Sequence, residues 1–174
     1  RLPIILENAV NRYRVELARN RQHLKLLYVE DNLVDIDLTK RHLSRYAPNI
    51  QMDVLQNADE VISLFSNPVT RHQYDILLLD HRLQGVNAIE VMTELEKFSL
   101  SIPIILVTGH GDEEIAVQAL KLGAADYVVK SADYLFHLPS VIENAYNRTQ
   151  LIREEEALRI SEERFRRIAE NAQD

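Results

Sequence analysis

Glu30-Asp31, Asp80, Thr108 and Lys130 each close a short apolar run of the chain. In an open α/β sheet, functional groups gather beyond the carboxyl ends of the strands. The pattern therefore predicts three carboxylates, one hydroxyl and one ammonium converging on one sheet edge. Any one of them has a structural explanation, since strands commonly end in polar residues and Asp31-Asn32 suits a helix cap. Four such ends together point to chemistry. Three crowded carboxylates repel one another and raise at least one pKa unless a cation intervenes. An all-oxygen donor set with few protein contributors suits Mg2+, usually with a phosphate completing the shell. The lysine supplies a point charge suited to phosphate oxygens, and the threonine hydroxyl can hydrogen-bond to another. A carboxylate can also attack phosphorus directly, so the cluster has the make-up of a phosphoryl-transfer site that carries its own nucleophile.

The elements that must position these groups follow from periodicity. Between Leu24 and Asn147, apolar runs at Leu24 to Val29, Ile50 to Val54, Tyr74 to Leu79, Ile102 to Val107 and Ala125 to Val129 alternate with amphipathic stretches. Five repeats of that alternation predict an α/β fold, with strands covered by helices on both faces. Ala88, Val91, Met92 and Leu95 mark the inner face of one helix, and Ala116, Ala119, Leu120 and Gly123 that of another. Asp112 is positioned to cap the latter and Gly123 to end it. Right-handed crossovers assemble these into a doubly wound five-stranded parallel sheet.

The ends of the chain carry an internal repeat. Leu2-Pro3-Ile-Ile-Leu-Glu7-Asn8-Ala9-Val-Asn11-Arg12 matches Leu138-Pro139-Ser-Val-Ile-Glu143-Asn144-Ala145-Tyr-Asn147-Arg148 without a gap. Both copies place Leu, an apolar pair and Ala at helical spacing, the stripe of a helix packed on a sheet. Residues 1–14 read as the last helix of an upstream copy of the same domain. After Arg148 the chain is strongly charged and free of Pro and Gly, which predicts a continuous helix. Leu151, Leu158 and Phe165 recur every seventh residue there, a short coiled-coil signal that competes with a solvated helical linker.

Composition bounds the remaining possibilities. The chain has 174 residues, 46% hydrophobic and 27% charged, enough for one well-buried domain with extra length. It contains no cysteine, which excludes a disulfide scaffold and thiolate chemistry and fits a cytoplasmic setting. No apolar stretch approaches the length of a membrane span. The net charge of −7, with 20 Lys and Arg scattered among 27 acids, argues against nucleic acid as a partner.

Four segments carry a specific resemblance. Leu26-Leu-Tyr-Val-Glu30-Asp31-Asn32, Tyr74-Asp-Ile-Leu-Leu-Leu-Asp80, Ile104-Ile-Leu-Val-Thr108-Gly109-His-Gly-Asp-Glu and Gly123-Ala-Ala-Asp-Tyr127-Val-Val-Lys130 resemble the receiver domain of two-component response regulators, a flavodoxin-like fold. The likeness covers about residues 24–147, flanked by a terminal helix and linker over 1–23 and a linker over 148–174. Carried over, it implies that Asp80 is the phosphoacceptor. Glu30, Asp31, Asp80 and the Arg82 carbonyl become the Mg2+ ligands. Thr108 and Lys130 bind the phosphoryl group, and Tyr127 is the aromatic switch that moves inward with Thr108. Read without the resemblance, Tyr127 is an ordinary residue on a half-buried strand, and His81 and His110 are loop residues beside the site. The Arg82 side chain stands where it could alter the lifetime of an aspartyl phosphate.

The resemblance also implies partners: a histidine kinase or phosphotransfer protein as donor, and an output domain downstream. Ser161-Glu-Glu-Arg-Phe165-Arg-Arg-Ile-Ala-Glu-Asn171-Ala-Gln-Asp174 resembles the opening of a PAS domain, so a sensor histidine kinase or a cyclic-dinucleotide enzyme both fit the parent protein. Dimerisation through the terminal helices is a further expectation. Gln84 and Ala88 occupy places where the family usually has Pro and Gly, which predicts a differently shaped loop after Asp80. Ser131 follows Lys130 where Pro is common, leaving the isomer of that bond open. Three other classes compete. An aspartyl phosphatase needs a second Asp where Arg82 stands. A nucleotide or flavin binder needs a glycine-rich loop, and the chain has only 4 glycines. A phosphorylation-independent dimerisation module remains the alternative, against which Asp80, Thr108 and Lys130 argue.

Overall fold

The computed structural model describes residues 22–171. Seven strands and five helices follow one another: β1 (Leu24–Val29), α1 (Leu33–Tyr46), β2 (Ile50–Leu55), α2 (Ala58–Ser66), β3 (Ile76–Asp80), β4 (Arg82–Leu83), β5 (Val86–Asn87), α3 (Ala88–Glu96), β6 (Ile104–Thr108), α4 (Glu113–Lys121), β7 (Asp126–Val129) and α5 (Tyr134–Asn171). Five strands form one parallel sheet in the order β2-β1-β3-β6-β7, while β4 and β5 pair as a short antiparallel ribbon. This is the doubly wound sheet that the alternating pattern predicts. The upstream repeat over residues 1–14 and the last three residues of the PAS-like stretch lie outside the described residues.

Alternation along the central strands separates two cores. Leu26, Tyr28, Ile76, Leu78, Ile105 and Val107 point toward α1 and α5, with Leu43, Leu138, Ile142 and Ala145 packed on them. Leu27, Val29, Leu77, Leu79 and Leu106 point the other way, toward Val61 and Phe65 of α2 and Val91, Met92 and Leu95 of α3. The stripe predicted from the C-terminal copy of the repeat is thus buried on the sheet. For α4 the inner face is rotated from the predicted one. Ala116 and Ala119 are buried, and Ile115 and Leu122 pack beside them, whereas Leu120 is exposed. The helix ends at Lys121, so Gly123 lies past it with a φ of 91°, a left-handed conformation that glycine adopts without a Cβ penalty.

Helix starts are set by side chains. Asn32 Oδ1 accepts from the Val34 N–H at 2.9 Å, and Asn87 forms a reciprocal capping box with Glu90. Replacing Asn87 by Ala removes both halves of that box. It is expected to lower unfolding stability by about 1 kcal/mol, measurable as a shifted denaturant midpoint at unchanged slope. Asp112 does not cap α4 as predicted. It occupies the position, but its Oδ2 turns back to accept from the Gly109 N–H at 3.1 Å.

α5 is 38 residues long, about 57 Å at 1.5 Å per residue. His42 and Tyr46 of α1 stack with Phe136 near its start. Beyond Gln150 it leaves the domain, and Leu151, Ile152, Leu158, Ile160, Phe165 and Ile168 are all exposed. Among the described residues, no helix is long and apolar enough to cross a membrane.

Candidate functional site

The sheet register delivers the polar residues to one edge. Val29 pairs with Leu79, Asp80 with Val107 and Thr108 with Val129, so Glu30, Asp80, Thr108 and Lys130 all emerge at the carboxyl ends of neighbouring strands. Two backbone bonds extend the pairing past the strands: the His81 N–H donates to the Val107 carbonyl at 2.8 Å, and the Lys130 N–H to the Thr108 carbonyl at 2.8 Å. A cleft of about 380 Å³ opens there, lined by Glu30, Asp31, Asp35, Asp80, Arg82 and Lys130 among others.

Lys130 is the hub. Its ammonium lies 2.7 Å from Glu30 Oε2, from Asp35 Oδ2 and from Asp80 Oδ1. Burial works against the ammonium, but the hydrogen bonds it donates to Asp35, Asp80 and Glu30 outweigh it and hold its pKa above the usual lysine range. Glu30 is 1% exposed. Burial pushes its carboxyl up, while Lys130 and the Asn32 N–H pull it back down. The Tyr28 phenol donates to Glu30 Oε2 at 3.0 Å, and burial together with that carboxylate keeps it protonated well above the ordinary tyrosine range. Asp80 is held from its other side, where Oδ2 accepts from the Arg82 N–H at 2.7 Å. Asp31 Oδ2 accepts from the Gln84 N–H at 3.0 Å. That bond fixes the loop after Asp80, which turns through Gly85 at a φ of 79° where β4 folds back onto β5.

Two loops meet across the cleft. The Arg82 guanidinium, 77% exposed, reaches Asp112 Oδ1 at 3.2 Å. His81 and His110 line the cleft, and burial lowers the His81 pKa, favouring a neutral imidazole. Thr108 is buried, and its hydroxyl faces the Val128 carbonyl at 3.5 Å rather than the cleft. Tyr127 lies on β7 with its side chain outward, 41% exposed. The Lys130–Ser131 bond is trans, as are all described peptide bonds.

Of the residues singled out in the sequence, then, Glu30, Asp31, Asp80, Arg82 and Lys130 share one cleft, while Thr108 and Tyr127 stand behind it. Asp35, Tyr28 and Asp112 complete the arrangement without having been singled out for it. Within the cleft, Glu30, Asp31, Asp35 and Asp80 oppose the single ammonium of Lys130, since Arg82 is turned outward to Asp112. That excess of negative charge fits a divalent cation. Among the described residues no group of three or more His, Asp or Glu side chains is arranged to hold a metal by itself. A site made from Asp31, Asp80 and the Arg82 carbonyl, with water completing the shell, is the kind that Mg2+ uses.

Comparison with known proteins gives a consistent result. A family model described as the response regulator receiver domain matches residues 26–135. The response regulator TodT of Pseudomonas putida is 40% identical over 68 residues, which cover 39% of this chain and 30% of that protein. SaeR of Staphylococcus aureus is 33% identical over 108 residues, 62% of this chain and 43% of SaeR. The chain therefore spans well under half the length of these relatives. Among solved structures, a receiver domain protein from Clostridium thermocellum superposes with a TM-score of 0.65 at 24% identity, covering 74% of this chain and 98% of that one. Full-length FixJ from B. japonicum superposes with a TM-score of 0.68 at 23% identity, covering 79% and 64%. Likenesses at these identities bear on the fold.

Proposed function

This chain belongs to the response regulator receiver domain family of two-component systems, and from that premise we propose that Asp80 accepts a phosphoryl group from a phosphohistidine on a histidine kinase or phosphotransfer protein. The observation that carries the reading is the setting of Asp80: a nearly buried carboxylate at a strand end, held from one side by the Arg82 N–H and from the other by the Lys130 ammonium, with Asp31 beside it in an open cleft. An oxygen of Asp80 attacks phosphorus, and the bond to the donor nitrogen breaks with its electron pair staying on the imidazole. The Arg82 N–H orients the carboxylate, and Lys130 brings positive charge to the oxygens of the transferring group. Asp31, Asp80 and the Arg82 carbonyl would hold Mg2+, which supplies further positive charge against those oxygens. Glu30, expected from the resemblance as a further metal ligand, acts in this scheme by anchoring Lys130: its Oε2 accepts from both the Lys130 ammonium and the Tyr28 hydroxyl.

Once formed, the acyl phosphate offers the Thr108 hydroxyl a stronger acceptor than the distant Val128 carbonyl. Thr108 then turns toward the cleft and leaves room for Tyr127 to swing inward from its exposed position. The affected surface adjoins α5, whose exposed extension is the route by which the signal leaves the domain. On this reading residues 24–147 are the receiver. Residues 1–23 close an upstream receiver-like domain, and 148–174 form the linker and the start of a PAS-like domain in a cytoplasmic protein. The exposed apolar residues of α5 allow no more than a loose pairing of two such linkers, because Glu154 and Ser161 interrupt the seam.

The test is direct. Incubation with Mg2+ and a small acyl-phosphate donor is expected to add one phosphoryl group, seen as an intact-mass shift that a chelator abolishes. An unmodified mass despite demonstrated Mg2+ binding would favour a phosphorylation-independent interaction module.

A further inference from the structure

Lys130 is held by one carboxylate beyond those that the sequence motif brings to it. A lysine ammonium has three N–H donors, and Glu30, Asp80 and Asp35 each lie 2.7 Å from it, so the three acceptors account for the full set. The three acceptors differ in how firmly they are fixed. Glu30 is almost wholly buried and also accepts from the Tyr28 hydroxyl and the Asn32 N–H. Asp80 ends a central strand and is pinned by the Arg82 N–H. Asp35 comes instead from the first turn of α1, and its side chain is 24% exposed, against 1% for Glu30 and 8% for Asp80. Water can replace the ammonium at Asp35 more cheaply than at either of the others.

A phosphoryl group on Asp80 changes what the ammonium must satisfy, because a phosphoryl presents three strong acceptor oxygens with more negative charge than the carboxylate it modifies. Resting on the phosphoacceptor reading of Asp80, we infer that Asp35 is a positioning residue that competes with the phosphoryl group for Lys130. It anchors the ammonium in the unmodified protein and is the partner displaced when the phosphoryl group needs a further N–H. Asp35 therefore weakens the hold of the site on its phosphoryl group. Glu30 keeps Lys130 in place throughout.

The probe is beryllofluoride, a stable mimic of a phosphoryl group on a carboxylate, titrated into the protein at saturating Mg2+ and followed by fluorine NMR. Asp35→Asn keeps the side-chain volume and removes the competing charge. It is expected to bind the mimic roughly tenfold more tightly, the size of one charge-assisted hydrogen bond, with a shifted resonance for the fluoride facing Lys130. Asp35→Glu, which restores a carboxylate, is expected to return to the parent affinity. Asp37→Asn removes the same charge from the same helix at a residue paired with Arg41, and is expected to leave affinity unchanged. Unaltered or weaker binding by Asp35→Asn would overturn the inference and leave the role of Asp80 intact. Equal tightening by Asp37→Asn would overturn it in favour of a general charge effect. No binding of the mimic by the parent protein would overturn the role of Asp80 itself, and the inference with it.

Discussion

Asp80→Asn is expected to abolish phosphoryl uptake completely while leaving the fold in place. An amide oxygen is a poor nucleophile, so no adduct forms with a small acyl phosphate or with a phosphohistidine donor. The substitution preserves volume at a residue that is 5% exposed, and the amide oxygen can still accept from either the Arg82 N–H or Lys130. It also removes one of four carboxylates from the cleft, so Mg2+ affinity should fall measurably by titration calorimetry. Unfolding stability without metal should hold or rise, because less like charge is crowded together. An adduct that persists in this variant would move the acceptor to another carboxylate of the same cleft, such as Asp31. A loss of uptake together with loss of the folded transition would instead show that Asp80 is needed for structure, and would leave its chemical role without support.

How far the site can be read from residue order depends on which element carries each group. Glu30, Asp80, Thr108 and Lys130 are legible because each follows directly on an apolar run, and parallel pairing sends all such ends to one edge. Asp35 is not. An acid in the first turn of a helix is the commonest way to satisfy the helix dipole, and nothing in the order of residues says that α1 tilts this one onto a lysine 95 positions away. Arg82 and Asp112 are separated by 30 positions, and their pairing depends on where two loops of irregular shape come to rest. At Gln84 the loop after Asp80 uses an N–H, which a proline there would lack, to bond Asp31, and Ala88 is buried at the start of α3. The α4 stripe was displaced for a related reason. Leu120 and Gly123 fit a helical period, but the helix stops at Lys121, short of Gly123, and Leu120 is exposed, while Ile115 and the C-cap residue Leu122 pack on the core.

The C-terminal half of α5 shows a limit of another kind. Its apolar residues at Leu151, Leu158 and Phe165 are spaced as a coiled-coil seam, yet Glu154 and Ser161 fall where the seam's alternate positions would lie. Such a helix gains little from self-association of its apolar face and much from continuity with the packed segment before it, where Leu138, Ile142 and Ala145 are fully buried. A linker of this make-up can transmit a rotation of its base without holding a rigid pairing of its own.

Lys130→Ala is expected to cost the metal-free protein about 3–5 kcal/mol of unfolding stability, the range for removing one partner from a buried charge pair. The reason lies in what remains: Glu30, nearly inaccessible to water, loses its ammonium, and Asp35 and Asp80 are left facing it across the same cleft. Mg2+ should then matter more to the variant than to the parent. With the ammonium gone, a dication meets less electrostatic opposition at these carboxylates, so its affinity rises and ligand-linked stabilisation grows with it. Thermal unfolding recorded with and without Mg2+ should therefore give a larger metal-induced increase in Tm for Lys130→Ala than for the parent chain. Recovery should stay incomplete, since a cation held by Asp31, Asp80 and the Arg82 carbonyl would not replace the hydrogen bond that Lys130 gives to the nearly buried Glu30. A variant as stable as the parent in chelator would show that Glu30 takes up a proton at little cost. Lys130 would then serve the incoming phosphoryl group and not the resting fold.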